Sequence, residues 1–467
     1  MQVLPAGPDA LLVELPLPGE VPLLYADLRR DLTCADLVPG ARTVLLDGVV
    51  DLDAARDYLA RWVPAGGSAD RVGPLVELPT TYDGADLDDV ARRWGMTRAE
   101  AVATHCGTDL TVAFVGFAPG FAYCTGLPPE LAVPRLDRPR ARVPAGAVGL
   151  AAGRSHRGAP VGRRPCRARA ADARHAGPFR RGLRVSRALT VLDAGPLTTV
   201  QDAGRRGYAH LGVPRSGWLD APAARLANRL VGNDAGAALA ETTVGGVTLR
   251  AEAALTVAVT GAEADVLVDG RGAAWGEPVS LPSGAVLRVG PARRGVRSYL
   301  AVAGGLEVPA VLGSRSTDRL SGLGPPPLAD GQVLPVGPGR RPHPLDVPRV
   351  TAADGVLRVA AGPRADWVSG GVRRLAGAAW TVAPDSDRVA LRLAGAPLDR
   401  ARSGELPSEG LVLGAVQVPP DGQPLVFLAD HPTTGGYPVI GVVALDDLWQ
   451  CAQLRPGEPV GFRHVAG

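Results

Sequence analysis

The chain contains no lysine: all 50 of its basic residues are arginine. That excludes a Walker-type phosphate lysine, a Schiff-base lysine and a lysine able to carry biotin covalently. Any phosphate bound here is bound by arginines, backbone amides or a metal. Cysteine is scarce as well. Cys34, Cys106, Cys124, Cys166 and Cys451 are odd in number, scattered and without a CxxC pair. This argues for reduced thiols in a cytoplasmic protein and against a zinc ribbon. Aromatic residues make up only 4% of the chain. No apolar run approaches the roughly 20 residues of a membrane helix. The first residues carry acids early and no basic stretch, so neither a membrane span nor a signal peptide is expected.

Glycine and proline are abundant, 60 and 44 among 467 residues. They punctuate short Val/Leu/Ala-rich runs such as LTVAVTGAEADVLVDG and LVLGAVQVPPDGQPLVFLAD. Runs of this kind read as antiparallel sheets closing into barrels or sandwiches. Helices are few. LDAPAARLANRLVG has Asp220 as its N-cap and Gly232 as its stop. DLDDVARRWGMTRAEAVATHC reads as two helices around Gly95, the second opened by the Thr97–Glu100 capping box. The pair has the outline of a DNA-binding helix-turn-helix. Ala101, however, stands where a branched anchor is required, and only Arg98 and His105 could read bases. A plain helical hairpin fits better, and no nucleic-acid partner is expected.

The net charge of +3 hides an uneven distribution. Residues 154–187 hold eleven arginines and one acid, Asp172, so the remainder of the chain is mildly acidic. It is no general polyanion binder.

Polar residues at Gly-rich turns are the natural site candidates. TTVQDAGRRGYAHLGVPRSG offers Gln201, Asp202, Arg205, Arg206, His210, Arg215 and Ser216. GSRSTD offers Arg315, Ser316 and Thr317. PSEG offers Ser408 and Glu409, followed by Gln417, and ADHPTTGGYP offers Asp430, His431, Thr433, Thr434 and Tyr437. Arginines, acids and hydroxyls at one barrel mouth would suit a small polar substrate and phosphate, although the same residue types cap turns and form surface ion pairs. Gln201, Asp202, Arg215, Arg315, Glu409 and His105 are the candidates for catalysis. Arg205, Arg206, Ser216, Ser316, Thr317, Ser408, Gln417, Asp430, Thr433 and Thr434, with Phe117, Gly120 and Tyr123 of VAFVGFAPGFAYCTGLP, are candidates for substrate or nucleotide binding. That aromatic loop equally fits a hydrophobic plug. His105 ends the capped helix, where a hydrogen-bonded structural role competes with that of a general base. The histidines show no metal-ligand spacing, so no metal site is assigned.

GFAPGFAYCTGLPPELAVPRLDRPRARVPAGAVGLAAG closely resembles the KipI-like family, the B component of prokaryotic ATP-dependent 5-oxoprolinase. LTVLDAGPLTTVQDAGRRGYAHLGVPRSGWLDAPAARLANRLVGNDAGAALAETTVGG resembles the KipA-like partner, the C component. The blocks GVRSYLAVAGGL, VLGSRSTD, SDRVALRLAG, ELPSEGLVLGAVQVP and LADHPTTGGYPVIG continue that resemblance. The same pair resembles the carboxyltransferase domains of urea carboxylase. The resemblance implies a mainly β fold with some α, in which a small α/β N-terminal domain precedes cyclophilin-like β-barrels. It divides the chain into 1–78 (N-terminal domain), 79–153 (partial barrel of the B type), 154–187 (Arg-rich junction), 188–310 and 311–467 (two barrels of the C type). It further implies ATP and Mg²⁺, the separate A component of 5-oxoprolinase as partner, and opening of the 5-oxoproline lactam to glutamate. Homo-oligomerisation stays open. The alternatives are carboxyl transfer from carboxybiotin borne by another chain, and kinase regulation of the KipI/KipA kind without turnover.

Residues 154–187 break the resemblance. Similar proteins of the B type continue with a Gly-Gln-Thr-Gly turn and a Pro-Gly-Gly-Trp segment, both absent here, yet the C-type match resumes at Leu189. Arg154–Gly158 can be encoded so that a one-base shift reads Gly-His-Thr-Gly. A displaced reading frame therefore explains more than a basic arm does. The stretch is expected to pack badly and to deprive the B-type barrel of its closing strands.

Overall fold

A computed structural model describes residues 1–64, 73–133, 148–153, 156–161, 187–339 and 353–465. The architecture is mostly β and 19% helical, with a small N-terminal unit followed by barrel-type sheets, as the sequence implies.

The N-terminal unit is a four-stranded antiparallel sheet in the order Gln2–Pro5, Leu11–Glu14, Thr43–Asp47, Asp36–Pro39. Side chains alternate across a strand, and here both faces are buried. Leu11, Val13, Val44 and Leu46 pack on Leu24 and Leu28 of helix Val21–Asp31 and on Ala55 and Leu59 of helix Leu52–Arg61. Their neighbours Leu12, Val38 and Leu45 form a different core with Leu411, Val412, Leu425, Phe427 and Val442 of the last barrel. One sheet thus serves its own helices on one side and docks a second module with the other.

Helices Leu87–Trp94 and Arg98–Cys106 follow, separated by Gly95 at φ 67°. Thr97 and Glu100 form the capping box read from the sequence. The next sheet has the order Thr111–Val115, Ala122–Thr125, His156–Val161, Ala151–Gly153. It therefore runs past residue 153 into the arginine-rich junction, which corrects the boundary placed there. Strand pairing uses backbone groups, and these do not depend on the side-chain charge that argued against a strand. Residues 162–186, where the junction's expected poor packing would be judged, lie outside the described residues.

A nine-stranded sheet begins the C-terminal half, built around the long paired strands Leu255–Val268 and Val286–Val302. Its edge strand Val333–Pro335 pairs with Ala188–Asp193, so this module extends past residue 310, where the sequence placed its end. The physical reason is the loop after 310, which returns to the sheet as Leu328 N–H donates to the Thr198 carbonyl at 2.8 Å. The last module is a closed seven-stranded barrel running Val356–Ala361, Val439–Val443, Ala415–Gln417, Leu425–Phe427, Ala390–Gly395, Trp380–Val382, Pro459–His464. Helix Ala221–Leu230 starts where Asp220 accepts the Ala223 N–H at 2.9 Å, and it packs on Ala258 and Tyr299 of the nine-stranded sheet.

Candidate functional site

Most of the sequence candidates are occupied in building a scaffold. Asp202 Oδ1 accepts from Ser314 Oγ (2.6 Å), Ser316 Oγ (2.7 Å) and the Gly204 N–H (2.8 Å), and Oδ2 from the Arg315 N–H (2.6 Å). One carboxylate thereby ties two glycine-rich turns that are more than a hundred residues apart. Gln201 Nε2 donates to Thr199 Oγ1 and to the Thr317 carbonyl, and Arg205 Nη2 to the Ser316 carbonyl at 2.6 Å. Gln201 Oε1, Arg205 Nη1 and Thr317 Oγ1 are buried without a partner.

Arg388 joins the two C-terminal modules. It bonds Asp430 at 3.0 Å, the Gly217 carbonyl at 2.5 Å, and Glu241. Asp430 in turn meets Ser216 Oγ at 2.9 Å. Ser216 holds a positive φ of 54°, a conformation disfavoured for a side chain with a Cβ, and its N–H donates to the Ala429 carbonyl. The network fixes the backbone of the residue just before it, Arg215.

Other candidates are brought to structural posts. Glu409 is buried against Arg364, which also reaches Glu14. The Ser408 carbonyl accepts the Ala41 N–H at 2.8 Å, and Gln417 Nε2 donates to the Tyr437 carbonyl at 3.0 Å. Arg315 Nε donates to the Val308 carbonyl at 2.8 Å, and the residue does not line the cleft that holds Arg206 and Arg215. His105 Nδ1 lies 2.6 Å from Tyr82 Oη, burial lowers its pKa, and it ends its helix as a hydrogen-bonded residue.

The aromatic loop is tight and seated. Phe117 has φ 62° and is 41% exposed beside Phe121, while Tyr123 stacks on Phe114 at 4.3 Å. The Gly120 N–H donates to the Leu211 carbonyl at 3.2 Å. A Cβ on Gly116 would stand 2.5 Å from Thr434 Oγ1, so the loop reaches the last barrel only because glycine is there. Thr433 and Thr434 carry buried hydroxyls without partners.

Arg206, Arg215 and Thr433 are the candidates that meet in a cleft, at the seam of the N-terminal sheet, the 201–218 loop and the last barrel. Asp9, Asp36, Asp47 and His431 line it with them, in about 60 Å³ of cavity volume. Asp36 Oδ1 is taken up by the Gly207 and Ala209 N–H groups at 2.9 and 3.0 Å, which locks loop to sheet. Among the described residues, the side chains of Asp9, Asp47, Arg206 and Arg215 make no hydrogen bond or ion pair with one another or with other groups. Arg215 and the exposed Arg206 thus share a cleft with Asp9 and Asp47, and the opposite charges act on one another across it without a direct ion pair.

Burial and the Asp9 charge push the Asp47 carboxyl up to about 6, with Arg215 opposing. Burial and neighbouring Arg206 pull the Arg215 guanidinium down. Burial also lowers His431 to about 4. Its Nδ1 lies 2.8 Å from the Pro432 carbonyl, which places the proton of the neutral ring on Nδ1 and leaves Nε2 as an acceptor.

The family model "Carboxyltransferase domain, subdomain C and D" matches residues 1–156, and "Carboxyltransferase domain, subdomain A and B" matches residues 211–464. The chain belongs to the carboxyltransferase-domain family. The C component of 5-oxoprolinase from Escherichia coli K12 is 38% identical over 293 residues, covering 59% of this chain and 90% of the relative. The B component of 5-oxoprolinase from Escherichia coli O157:H7 is 36% identical over 121 residues, covering 25% of this chain and 56% of the relative. Over the whole length, the crystal structure of TTHA0988 superposes with a TM-score of 0.81 at 32% identity, covering 97% of this chain and 99% of that one. The chain is therefore a fusion of the two carboxyltransferase modules that occur as separate proteins in Escherichia coli.

Sequence reasoning passed over Asp9, Asp36 and Asp47 because the N-terminal unit carries no polar, glycine-rich block of the kind found at 201–218. Their local signals are slight. Asp47 closes a strand just before Gly48, which has φ 66°. A carboxylate at a strand end followed by a left-handed glycine is the sort of position that reaches a site.

Proposed function

We propose that this chain is the fused B–C component of an ATP-dependent 5-oxoprolinase and opens the lactam together with a separate A component. Support comes from the B-type and C-type relatives matched on one chain, and from a cleft whose walls come from both modules. The cleft is the observation that carries the reading. It is lined by two arginines, His431 and acids of the N-terminal unit, groups that suit a small polar substrate. The described residues also contain no group of three His, Cys, Asp or Glu placed to hold a metal. The cleft suits a small polar substrate, and this reading assigns the ATP–Mg²⁺ site to the partner protein.

The chemistry suits such a division. An amide is a poor electrophile, and phosphorylation by ATP turns its oxygen into a leaving group. One water adds to the activated carbon and the ring nitrogen leaves as the amine, giving an acyl phosphate. A second water releases phosphate from it, so that lactam, ATP and two waters yield glutamate, ADP and phosphate. This chain's part is positioning. Arg215, its backbone fixed from both sides, and Arg206 at the mouth are free to take a carboxylate. Neutral His431 offers an acceptor nitrogen in the same cleft.

The test is Arg215→Ala in a complex reconstituted with an A-type partner. Loss of 5-oxoproline-dependent turnover by 100-fold or more, with the fold intact by circular dichroism, is expected. Unchanged kinetics would remove the cleft from the reaction. The carboxyltransferase alternative requires a biotin carrier in trans, because this chain has no lysine.

A further inference from the structure

The mixed charge of the cleft says more than its size. Arg215 and Asp47 are held away from most water without a direct ion pair, and with Asp9 and the exposed Arg206 they give a cleft two charges of each sign, suited to a ligand that presents both. The geometry points to the seam cleft as a binding site for an α-amino acid zwitterion, with Arg215 and Arg206 facing its carboxylate and Asp47 and Asp9 facing its ammonium. The identity of that amino acid as glutamate rests on the function proposed above. The charge requirement does not.

A lactam acid carries one anion and a neutral ring nitrogen. It satisfies the arginines and leaves Asp9 and Asp47 unpaired. Ring opening converts that nitrogen to an ammonium and adds a second carboxylate, so the product meets all four groups. The cleft therefore holds the ring-opened amino acid more tightly than the cyclic acid. The raised pKa of Asp47 agrees with a carboxylate short of a cation, and an arriving ammonium supplies one. The arginines and the acids are carried by different segments of the chain. Asp202 and Asp430 fix the loop that carries Arg215, while Asp9 and Asp47 come from the N-terminal sheet.

The experiment uses the purified full chain without any partner and no turnover. Calorimetric titrations with L-glutamate, glutarate and 5-oxoproline separate ammonium recognition from carboxylate recognition. L-Glutamate is expected to bind at least 10-fold more tightly than the other two. Asp47→Asn should erase that difference while leaving glutarate affinity within 2-fold, and Arg215→Met should weaken all three ligands. Asp9→Asn provides a second neutralisation with the same readout if Asp47→Asn fails to fold. Equal affinity for glutamate and glutarate, or no binding of either, overturns the proposal. Preferential glutamate binding by a chain whose reconstituted complex is inert towards 5-oxoproline would preserve this site and sink the functional reading. An active complex whose chain shows no such preference would do the reverse.

Discussion

Arg364 Nη1 donates to Glu14 Oε2 at 2.9 Å, joining the last barrel to the N-terminal sheet across 350 residues of chain. The same guanidinium grips Glu409, which is only 5% exposed. The cleft exists because this seam holds, so the seam is the first thing to test.

Arg364→Met is expected to destabilise the chain by about 3–5 kcal/mol, because it strands a buried carboxylate rather than merely deleting a pair. Denaturant unfolding measures this. A change below about 1 kcal/mol would mean the seam is held by the apolar contacts of Leu12, Leu45 and Val442 alone.

Two groups in the cleft give opposite pH signatures. Asp47, raised from 3.8 to about 6, favours the folded state below pH 4, and that contribution is lost as pH rises through 6. His431, lowered from 6.5 to about 4, contributes above pH 6.5 and loses its contribution as pH falls through 4. Asp9, Asp36, Arg206 and Arg215 line the cleft with them and set the common field. The two slopes oppose each other in the wild type, so stability changes little between pH 4 and 6.5. Asp47→Asn should then gain stability with rising pH across that window, and His431→Asn should lose it. Thermal melts at half-unit intervals check both signs, and parallel profiles in the two variants would contradict the assignment.

The sequence near residues 154–187 predicts a displaced reading frame. The DNA across this interval should encode, in another frame, a Thr-Gly turn and a Gly-Gly-Trp element. If no frame does, the arginines belong to a genuine basic arm. The strand His156–Val161 shows that the opening of the interval pairs into the sheet.

Local signals were the legible ones. Asp51, Thr97 and Asp220 cap helices through their own side chains, and Asp220 and Thr97 could be read directly from spacing. The glycine-rich turns were legible as polar clusters, but the roles of their residues were not. Asp202 satisfies four donors, and nothing in VQDAGRR distinguishes a carboxylate that organises a loop from one that meets a ligand. Asp9 and Asp47 were not legible, because they reach the cleft only when the N-terminal sheet docks beside the loop that carries Arg215. Alternation along LLVE and TVLLD shows which residues share a face, but not that both faces are buried. That depends on a barrel encoded 350 residues later.

The central claim is that this chain supplies the small-substrate half of a lactam-opening machine and another protein supplies the nucleotide half. The direct measurement is phosphate release from ATP with and without 5-oxoproline, for the chain alone, an A-type partner alone, and the two together. Release should require both proteins and 5-oxoproline, and match glutamate formed one to one. Robust 5-oxoproline-dependent hydrolysis by this chain alone would contradict the account.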